Sequence, residues 1–504
     1  MNAFLTTQVG GRPVKLDISR EETFCNTRTR HSIEFDLAAG VGKDGRLLAK
    51  DMHSYSNQGA YASHGHAIAA NGLTSWRLQY ACPNIRGEAY TIYTNTPVGG
   101  AMRGYGIPQV CFAIESFMDD VANEIHMDPL EFRRKNLIQG YYEDAYLKPI
   151  AANTNGIFEC LEKGAEYIHW DEKRKEYAEQ AGDVRKGVGM ALFSYKTGVW
   201  PISLEIAGAR LSLNQDGSVQ LMLGATEIGQ GADTVFSQMV AETLHTDMEH
   251  VHIKTVQDTD VSPFDTGAYA SRQSFVTGTA VRHCAEILRD KILAYAKTLL
   301  PEIDTRELTL KDNWIWAGDE QAISLAALAE ESYYSLTNSS VLTAEVSEQV
   351  KKNTIATGCC FAEVEVDIKL GKIKILHIIN VHDSGKLLNP QLAEMQVHGG
   401  MSMGMGYGIS EQLILDEKTG RPLNGNLLDY KLMTMLDTPD IKADFVELCD
   451  PMGPYGNKAL GEPPAIPCAP AIRNAVLHAT GVAFYENPLT PQRLIDGFKK
   501  AGLI

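Results

Sequence analysis

Alternating apolar and polar positions on either side of a glycine turn predict three β-hairpins in the chain. They span residues 32–55, 209–223 and 361–381, with turns at Asp44-Gly45, Asp216-Gly217 and near Gly371. The strands are long and alternate with a period of two residues. This pattern is typical of antiparallel sheets, whereas strands of a buried parallel sheet read as continuous apolar runs.

Helical periodicity lies between the hairpins. In residues 112–127, Ile114, Phe117, Val121 and Ile125 recur at the spacing of one helical face. Further helices are predicted at 130–137, behind an Asp128-Pro129 start, and at 232–244 and 279–300. Together with the hairpins, they predict an α+β fold with mixed or antiparallel sheets and flanking helices.

Two regions interrupt this pattern, and the beginning of the chain is also unusual. Residues 138–158 are polar and irregular, which makes them the best candidate for a domain boundary. Residues 302–357 carry the least pattern and no recognisable chemistry. Residues 3–11 read as the end of a helix that runs into a strand at 13–19. We therefore expect the chain to start inside a fold.

Charge and cysteine usage narrow the class of protein. Among 504 residues, 63 acidic and 46 basic side chains give a net charge of −17, which argues against nucleic-acid binding. The nine cysteines form no C-x-x-C pair and show no zinc or iron–sulfur spacing. No apolar stretch reaches the length of a membrane span, and no signal peptide is evident. We expect a cytoplasmic protein with reduced thiols that binds neither membrane nor nucleic acid.

Four glycine-rich segments are candidates for ligand binding, because glycine lets a backbone approach a ligand closely. They lie at 99–109, 224–233, 265–274 and 460–467. Each alone is equally consistent with an ordinary turn. In the second segment, Gln230 and Gly231 fall between a strand and a helix, where the helix dipole favours an anion. In the fourth, Glu462 precedes two prolines, which predicts a stiff, extended backbone that could aim a general base.

In this order the four segments resemble those of the molybdenum hydroxylases, the family that includes xanthine dehydrogenase and aldehyde oxidase. The resemblance runs from about Gly10 to Ile504 and is closest to the bacterial multi-subunit enzymes. It implies molybdopterin-binding domains in an elongated two-domain architecture. Residues 1–145 would form the remainder of the first domain and residues 146–504 the second.

The resemblance also implies roles at the cofactor. Arg103, Gln230, Gly231, Ala270 and Ser271 correspond to positions that bind the molybdenum–molybdopterin group. Arg103 and Ala270 would lie beside the metal without ligating it, since no protein side-chain ligand is expected. The strand and helix around His382–Gly385, Asn389-Pro390 and 399–408 would be scaffold.

For the reaction, the resemblance implies that Glu462 is the general base at a molybdenum-bound hydroxyl. The substrate would be a purine such as hypoxanthine or xanthine, hydroxylated with water-derived oxygen, and contacted by Tyr105, Asn71 and Trp200. Asn71 stands where animal xanthine enzymes have an arginine, although Arg77, His64 or His66 could compensate. Oxidation of an aldehyde or another N-heterocycle therefore stays open.

The resemblance implies partner subunits, because the family's electron-transfer cofactors and one of its glycine-rich motifs have no counterpart in this sequence. Iron–sulfur clusters and FAD are expected on partner subunits. The family's upstream glycine-rich motif, which helps build the cofactor pocket, is absent from this sequence. A separate N-terminal fragment of the molybdenum subunit could supply it. Alternatively, the chain is a truncated, non-catalytic subunit that holds no metal.

Overall fold

A computed structural model describes residues 1–143, 149–151, 154–254, 256–304 and 307–504. It confirms an α+β fold with mixed sheets and flanking helices. The expected domain boundary at 145/146 lies outside the described residues. None of the described helices combines the length and apolar character needed to cross a membrane.

The helices and strands are numbered in chain order. The helices are α1 (Asn2–Gln8), α2 (Arg20–Asn26), α3 (Gly65–Leu78), α4 (Ile107–Glu124), α5 (Pro129–Asn136), α6 (Ile157–Ile168), α7 (Trp170–Glu176), α8 (Ala232–Leu244), α9 (Gly278–Leu299), α10 (Leu325–Tyr334), α11 (Pro390–Ile409), α12 (Cys468–Thr480) and α13 (Pro491–Lys500). The strands are β1 (Ile33–Val41), β2 (Leu47–Gly59), β3 (Ile85–Tyr93), β4 (Tyr141–Glu143), β5 (Pro149–Ala151), β6 (Val184–Lys196), β7 (Ile206–Leu213), β8 (Val219–Leu223), β9 (Val251–Ile253), β10 (Leu308–Lys311), β11 (Trp314–Ala317), β12 (Glu320–Ser324), β13 (Thr343–Gln349), β14 (Ile355–Asp367), β15 (Lys372–Asp383) and β16 (Asp440–Phe445).

The three predicted hairpins are confirmed, and each is an antiparallel pair within a mixed sheet. The pair β1–β2 is extended by β3, which runs parallel to β2. The pair β7–β8 lies in a sheet of order β13-β7-β8-β9, and β14–β15 in one of order β16-β15-β14-β6. In each of the three sheets, one edge strand pairs in parallel with its neighbour. The alternating pattern of the sequence predicted the hairpins but not these edge strands.

The sheet containing β14 is buried on both faces. Helix α6 and helix α4 contribute to the apolar cluster on one side, while α11, α12 and α13 contribute to the cluster on the other. The sheet containing β7 packs against α8 and α9 and has its own core. A small fourth cluster, which includes Phe193, Tyr195 and Ile466, joins β6 to the first and fourth glycine-rich segments.

One sequence expectation was wrong, and the region with the least sequence pattern contains regular structure. Residues 13–19 do not form a strand, although α1 is present and has no buried residue. Residues 302–357 do contain regular structure: the antiparallel sheet β10-β11-β12, helix α10 and strand β13. The strands β10 to β12 have only four or five residues each, too few for a periodic pattern to be evident in the sequence.

Helix α4 buries charge as well as apolar side chains. Ile114 is buried as predicted, but so are Glu115 and Asp119. Both carboxylates bind the guanidinium of Arg133 on α5, with Nε 2.9 Å from Glu115 Oε2 and Nη1 2.6 Å from Asp119 Oδ1. Glu115 also accepts hydrogen bonds from Tyr80 Oη and from the backbone N–H of Leu192. These bonds connect the segment that follows α3 with α4, α5 and β6 through one buried ion cluster.

Removing the cation from this cluster should destabilise the fold strongly. Arg133→Met leaves Glu115 and Asp119 buried without their partner, and we expect a loss of about 3–5 kcal/mol in the free energy of unfolding. The neighbouring Arg134 pairs with Glu131 at the surface, so Arg134→Met should change it by less than about 1 kcal/mol. Denaturant titrations of the two variants test this difference; equal effects would contradict it.

Candidate active site

The loop that carries Glu462 leads into α12. Its backbone is not extended, contrary to the sequence expectation: Glu462 has φ −102° and ψ −37° and precedes a short 3₁₀ helix, Pro463–Ala465. Two successive prolines suit the first positions of a helix, because their fixed φ is helical and they need no N–H partner. The Glu462 N–H donates to Ser271 Oγ at 3.0 Å, which fixes the direction of the side chain.

Three donors from distant parts of the chain face the Glu462 carboxylate. Oε1 accepts the backbone N–H of Gly104 at 3.0 Å, and Oε2 accepts Ser271 Oγ at 3.3 Å and the hydroxyl of Tyr195. A carboxylate offers about four acceptor positions. In the described part of the chain no other donor reaches it, so one position on Oε1 stays available to a proton.

Tyr195 was missed by the sequence reasoning. It stands on β6 and is buried, and its hydroxyl donates to Glu462. Burial raises the pKa of Tyr195 well above its ordinary value, and the neighbouring Glu462 carboxylate raises it further. Tyr195 therefore remains a hydroxyl donor at any physiological pH. The alternation of side chains along β6 predicts that Tyr195 and Phe193 lie on the same face of the strand. It does not predict that this face contacts Glu462.

Arg103 is held beside Glu462 by a hydrogen bond to the backbone carbonyl of the preceding residue, Gly461. Its Nε donates to Gly461 O at 2.6 Å, and its Nη2 donates to Gln396 O on α11 at 3.0 Å. Burial lowers the pKa of Arg103, and the negative charge of Glu462 opposes that shift. Its Nη1 has no acceptor among the described residues. The carbonyl of Arg103 in turn accepts a hydrogen bond from Nη2 of Arg30 at 2.6 Å, and this bond anchors the loop that carries Arg103.

The glycine that follows Arg103 is required by geometry. Gly104 has φ +96°, and a Cβ there would lie 2.7 Å from the Pro108 ring. A side chain would therefore displace the N–H that Glu462 accepts.

The predicted substrate residues do not all come together. Asn71 Nδ2 donates to Tyr105 O at 3.0 Å, and His64 Nδ1 lies 2.9 Å from Tyr105 Oη. These three residues border the Arg103 loop. Trp200 stands in the loop after β6, and its carbonyl accepts Asn353 Nδ2 at 2.7 Å. Within the described ranges, no hydrogen bond or ring contact connects the Trp200 side chain with Glu462 or Tyr105.

The second glycine-rich loop places Gln230 and Gly231 at the start of α8, as predicted. Gly231 has φ +83°, and a Cβ would lie 2.7 Å from Leu392. Gln230 uses its amide within the loop: Nε2 donates to Thr226 O and to Gln273 Oε1, and Oε1 accepts the Ile228 N–H. Its expected contact with a cofactor stays a prediction.

The helix N-terminus itself is occupied by a side chain of the same loop. Glu227 accepts the backbone N–H groups of Gly229, Gly231 and Asp233 at 2.7–3.1 Å. Burial raises the pKa of Glu227, but these N–H groups outweigh that effect and leave the pKa below its ordinary value. Glu227 was not singled out from the sequence. A carboxylate directly ahead of a helix is the signal that could have found it.

The third loop holds Ala270 and Ser271 in a left-handed backbone, with φ of +49° and +50°. Arg272, which follows, is completely buried and fixes the loop. Its Nε donates to Glu205 Oε2 and its Nη1 to Asp265 Oδ1, both at 2.6 Å. These contacts attach the loop to the start of β7. They explain how two non-glycine residues are held in a conformation that costs on the order of 1–3 kcal/mol each.

The donor set fits the oxygen-rich cofactor that the resemblance implies. In the part of the chain that the structure describes, the N–H groups of Ala270 and Ser271 and Nη1 of Arg103 have no acceptor. Thr266 Oγ1 in the same loop is buried and likewise unpartnered there. A Cβ on Gly229 would meet nothing within 4 Å, so the second loop is open on that side. These donors suit a group with many oxygen acceptors.

Comparison with known proteins gives the same family. Two profiles described as molybdopterin cofactor-binding domain match residues 1–137 and 163–439. The putative xanthine dehydrogenase molybdenum-binding subunit XdhA of Escherichia coli is 48% identical over 509 residues, covering 100% of this chain and 67% of that protein. The probable hypoxanthine oxidase XdhD of Escherichia coli is 32% identical, covering 98% of this chain and 52% of that protein.

A solved structure shares the fold. Quinoline 2-oxidoreductase from Pseudomonas putida 86 superposes with a TM-score of 0.89 at 24% identity, covering 98% of this chain and 66% of that chain. This chain thus spans about two thirds of the length of XdhA and of the quinoline enzyme.

The carboxylate at the start of α8 predicts a pH-dependent stability. The pKa of Glu227 lies below its ordinary value of 4.5 in the folded chain. Its contribution is therefore fully present above that value and is lost as the pH falls through the folded-state pKa. Glu227→Gln should lower the free energy of unfolding by about 1 kcal/mol at pH 7, with the difference vanishing in acid.

A residue at the other end of α8 is the control. Glu242 lies in the last turn, where a negative charge is unfavourable, so Glu242→Gln should not destabilise the chain. Urea titrations at pH 7 and in mild acid measure both variants. A pH-independent effect of Glu227→Gln would show that its charge does not contribute.

Proposed function

The chain belongs to the molybdopterin cofactor-binding family that includes the molybdenum-binding subunits of xanthine dehydrogenases, and we propose that it is the catalytic molybdenum-cofactor subunit of a xanthine dehydrogenase-like oxidoreductase. One observation carries the proposal: the Glu462 carboxylate is oriented by Gly104, Tyr195 and Ser271 directly beside Arg103.

We propose that Arg103, Gln230, Gly231, Ala270 and Ser271 hold the cofactor. When bound, the molybdenum–molybdopterin group supplies the two-electron redox chemistry by which a substrate is hydroxylated with water-derived oxygen. Arg103 would face it with its unpaired Nη1, and Ala270 and Ser271 with their backbone N–H groups. Arg103 and Ala270 would lie next to the metal without ligating it.

Glu462 would act as the general base. Its Oε2 accepts hydrogen bonds from two hydroxyl groups, whereas Oε1 accepts, among the described residues, only the Gly104 N–H. A proton released during hydroxylation would therefore be received at Oε1. The three donors keep the carboxylate in one orientation before the substrate binds, which is the geometric requirement for efficient proton transfer.

The substrate we propose is a purine, hypoxanthine or xanthine. The name of the 48% identical relative supports this choice, and Tyr105 offers an aromatic face to a planar ring. Asn71 supports the alternative, an aldehyde or another N-heterocycle, because it brings a neutral amide where a cationic donor would stabilise a purine oxygen. Asn71 also holds the Tyr105 carbonyl, so it shapes the same wall. We include Trp200 in that wall on the resemblance alone.

The electrons would leave through an iron–sulfur subunit and an FAD subunit, and a separate N-terminal fragment would complete the cofactor pocket. An exposed apolar stretch in residues 423–436 is consistent with such partners. Leu428 is 77% exposed, and Met435 and Leu436 are more than 90% exposed. Side chains of this kind mark protein–protein interfaces. We place the assembly in the cytoplasm.

We retain the division into domains 1–145 and 146–504 as a proposal. The two family matches, 1–137 and 163–439, end and begin on either side of this boundary. The non-catalytic alternative, a truncated subunit without metal, is decided by metal analysis of the chain purified with its partner subunits. Molybdenum in that assembly supports the catalytic proposal, and its absence supports the truncated subunit.

Loss of the base should separate catalysis from cofactor binding. In the assembled enzyme, Glu462→Gln should retain molybdenum and lose turnover by about 10²–10⁴-fold, because a general base contributes on that order. Metal content and kcat with a dye acceptor measure the two effects. Glu417, an exposed carboxylate, is the control, and Glu417→Gln should be unchanged. An active Glu462→Gln enzyme would exclude this role.

A cation at position 71 should shift substrate preference. Asn71→Arg should raise kcat/KM for hypoxanthine relative to an aldehyde by roughly tenfold, because a hydrogen bond to a charged group contributes about 1.5–3 kcal/mol. Asn71→Leu also removes the bond to the Tyr105 carbonyl but adds no charge, so it isolates the effect of the cation. An unchanged ratio in the Asn71→Arg enzyme would show that position 71 does not face the substrate.

A further inference from the structure

The end of strand β15 carries a row of buried polar atoms that have no hydrogen-bond partner among the described residues. His382 is completely buried, and among the described residues neither of its ring nitrogens has a hydrogen-bond partner. The same holds for Asn380 Oδ1 and Ser384 Oγ. Because successive side chains of a strand point to opposite faces, residues 380 and 382 point to the same side, and Ser384 follows directly after the end of β15. Three unsatisfied atoms therefore share one side of the strand, and a fourth, Ser384 Oγ, lies just beyond its end.

This side of β15 faces the loop that carries Glu462. Asn380 Nδ2 donates to Pro464 O at 3.0 Å, and Ser384 O accepts the Lys458 N–H at 2.7 Å. The row of polar atoms is thus enclosed between the strand and residues 458–464.

The neighbouring strands lead to the same loop. Gly358 on β14 pairs with both Phe193 and His382, so these two side chains lie on one face of the sheet. Their rings are 5.0 Å apart between centroids. Tyr195, two residues after Phe193, shares this face and donates to Glu462. The side of the sheet beneath Glu462 therefore carries polar atoms on β15 in addition to the Tyr195 hydroxyl of β6.

The chemistry of the row identifies the ligand class. Burial and, to a smaller extent, the positive charge of Arg103 lower the pKa of His382 to about 3. The imidazole is therefore neutral and offers one donor and one acceptor. A hydroxyl and an amide oxygen complete the row. Within the described residues no cluster of His, Cys, Asp and Glu could hold a metal ion. Water is a small ligand that both donates and accepts hydrogen bonds, as these buried atoms require.

We propose that Asn380, His382 and Ser384 form a buried water-binding site beneath the catalytic loop, and that water bound there connects the His382 ring to the guanidinium of Arg103. Arg103 and the polar row bind the same loop, since Arg103 Nε donates to Gly461 O at 2.6 Å and Asn380 Nδ2 donates to Pro464 O at 3.0 Å. The Nη1 group of Arg103 has no acceptor among the described residues. His382 is then a positioning residue that fixes Arg103 through water. This second step rests on the proposed function, in which Arg103 faces the cofactor.

A high-resolution crystal structure of the wild-type assembly tests the water site directly. We expect ordered water within hydrogen-bond distance of both His382 ring nitrogens and of Ser384 Oγ, and one of these waters bonded to Arg103. Protein atoms or a different species at the ring nitrogens would overturn the proposal. This result does not depend on activity, so it stands apart from the proposed function, which metal analysis of the same sample tests.

Substitution at His382 tests the connection to Arg103. His382→Phe keeps a ring between Phe193 and Phe445 but removes both nitrogens. We expect loss of the bound water, a displaced Arg103 side chain and a roughly tenfold loss in cofactor retention, the usual effect of removing an indirect support of a metal site. His382→Gln, which offers a donor and an acceptor again, should recover part of it.

A packing control separates the water from the ring. Phe445→Leu disturbs the contact with His382 but leaves both nitrogens in place, so the water and cofactor retention should persist. If His382→Phe leaves Arg103 and cofactor retention unchanged, or if Phe445→Leu has the same effect as His382→Phe, the positioning role is excluded. If His382→Phe does not fold, the wild-type crystal structure and His382→Gln decide the question.

Discussion

The hydrogen bonds to the Glu462 carboxylate impose the constraint on which the rest of the site depends. Their donors, Gly104, Tyr195 and Ser271, stand 358, 267 and 191 residues before it in the sequence. One carboxylate can accept all three only if the sheet containing β6, the loop before α4 and the loop before α9 are held in fixed relative positions. The small apolar cluster that includes Ile107, Tyr195 and Ile466 lies where these segments meet. If these segments moved relative to one another, water would replace the three donors at the carboxylate. The packing of the large apolar cores therefore helps to fix the orientation of the Glu462 side chain.

Buried arginines provide much of that rigidity, although the chain is strongly acidic overall. Arg133, Arg272 and Arg473 are all completely buried, and each binds at least one carboxylate and one or more backbone carbonyls. The planar guanidinium suits this arrangement, because its five donors can bridge several segments at fixed angles. A buried ion pair adds little net stability compared with apolar packing, but it tolerates only one arrangement of its partners. In this chain the ion pairs connect α4 with α5, the third glycine-rich loop with β7, and α12 with α4.

The sequence predicted long elements well and contacts between distant segments poorly. The hairpins at β1–β2, β7–β8 and β14–β15 and the helices α4, α5, α8 and α9 follow from local periodicity, and the structure confirms them. The parallel edge strands and the short strands β10 to β12 leave no such pattern. At the site, the resemblance singled out Arg103, Ser271 and Glu462, which the structure brings together, whereas Trp200 is not joined to them in the described residues. Tyr195 and Glu227 were missed because their roles depend on hydrogen bonds made in the folded chain, which the sequence pattern did not indicate. The backbone of Glu462 was predicted wrongly, since the preference of a residue before proline yielded to the 3₁₀ turn and the bond to Ser271.

The left-handed backbone of Ala270 and Ser271 has a consequence for the thermodynamics of binding. A flexible loop that presents N–H groups to a ligand must lose conformational entropy at the moment of association, and the observed affinity is reduced accordingly. Here the unfavourable conformation is already imposed by Arg272, Glu205 and Asp265 when the chain folds. Part of the free energy needed to order the loop is therefore spent when the chain folds and does not reduce the affinity for a ligand. Affinity at this loop is thus set by residues that a ligand never touches, and it can be tuned from the interior of the protein.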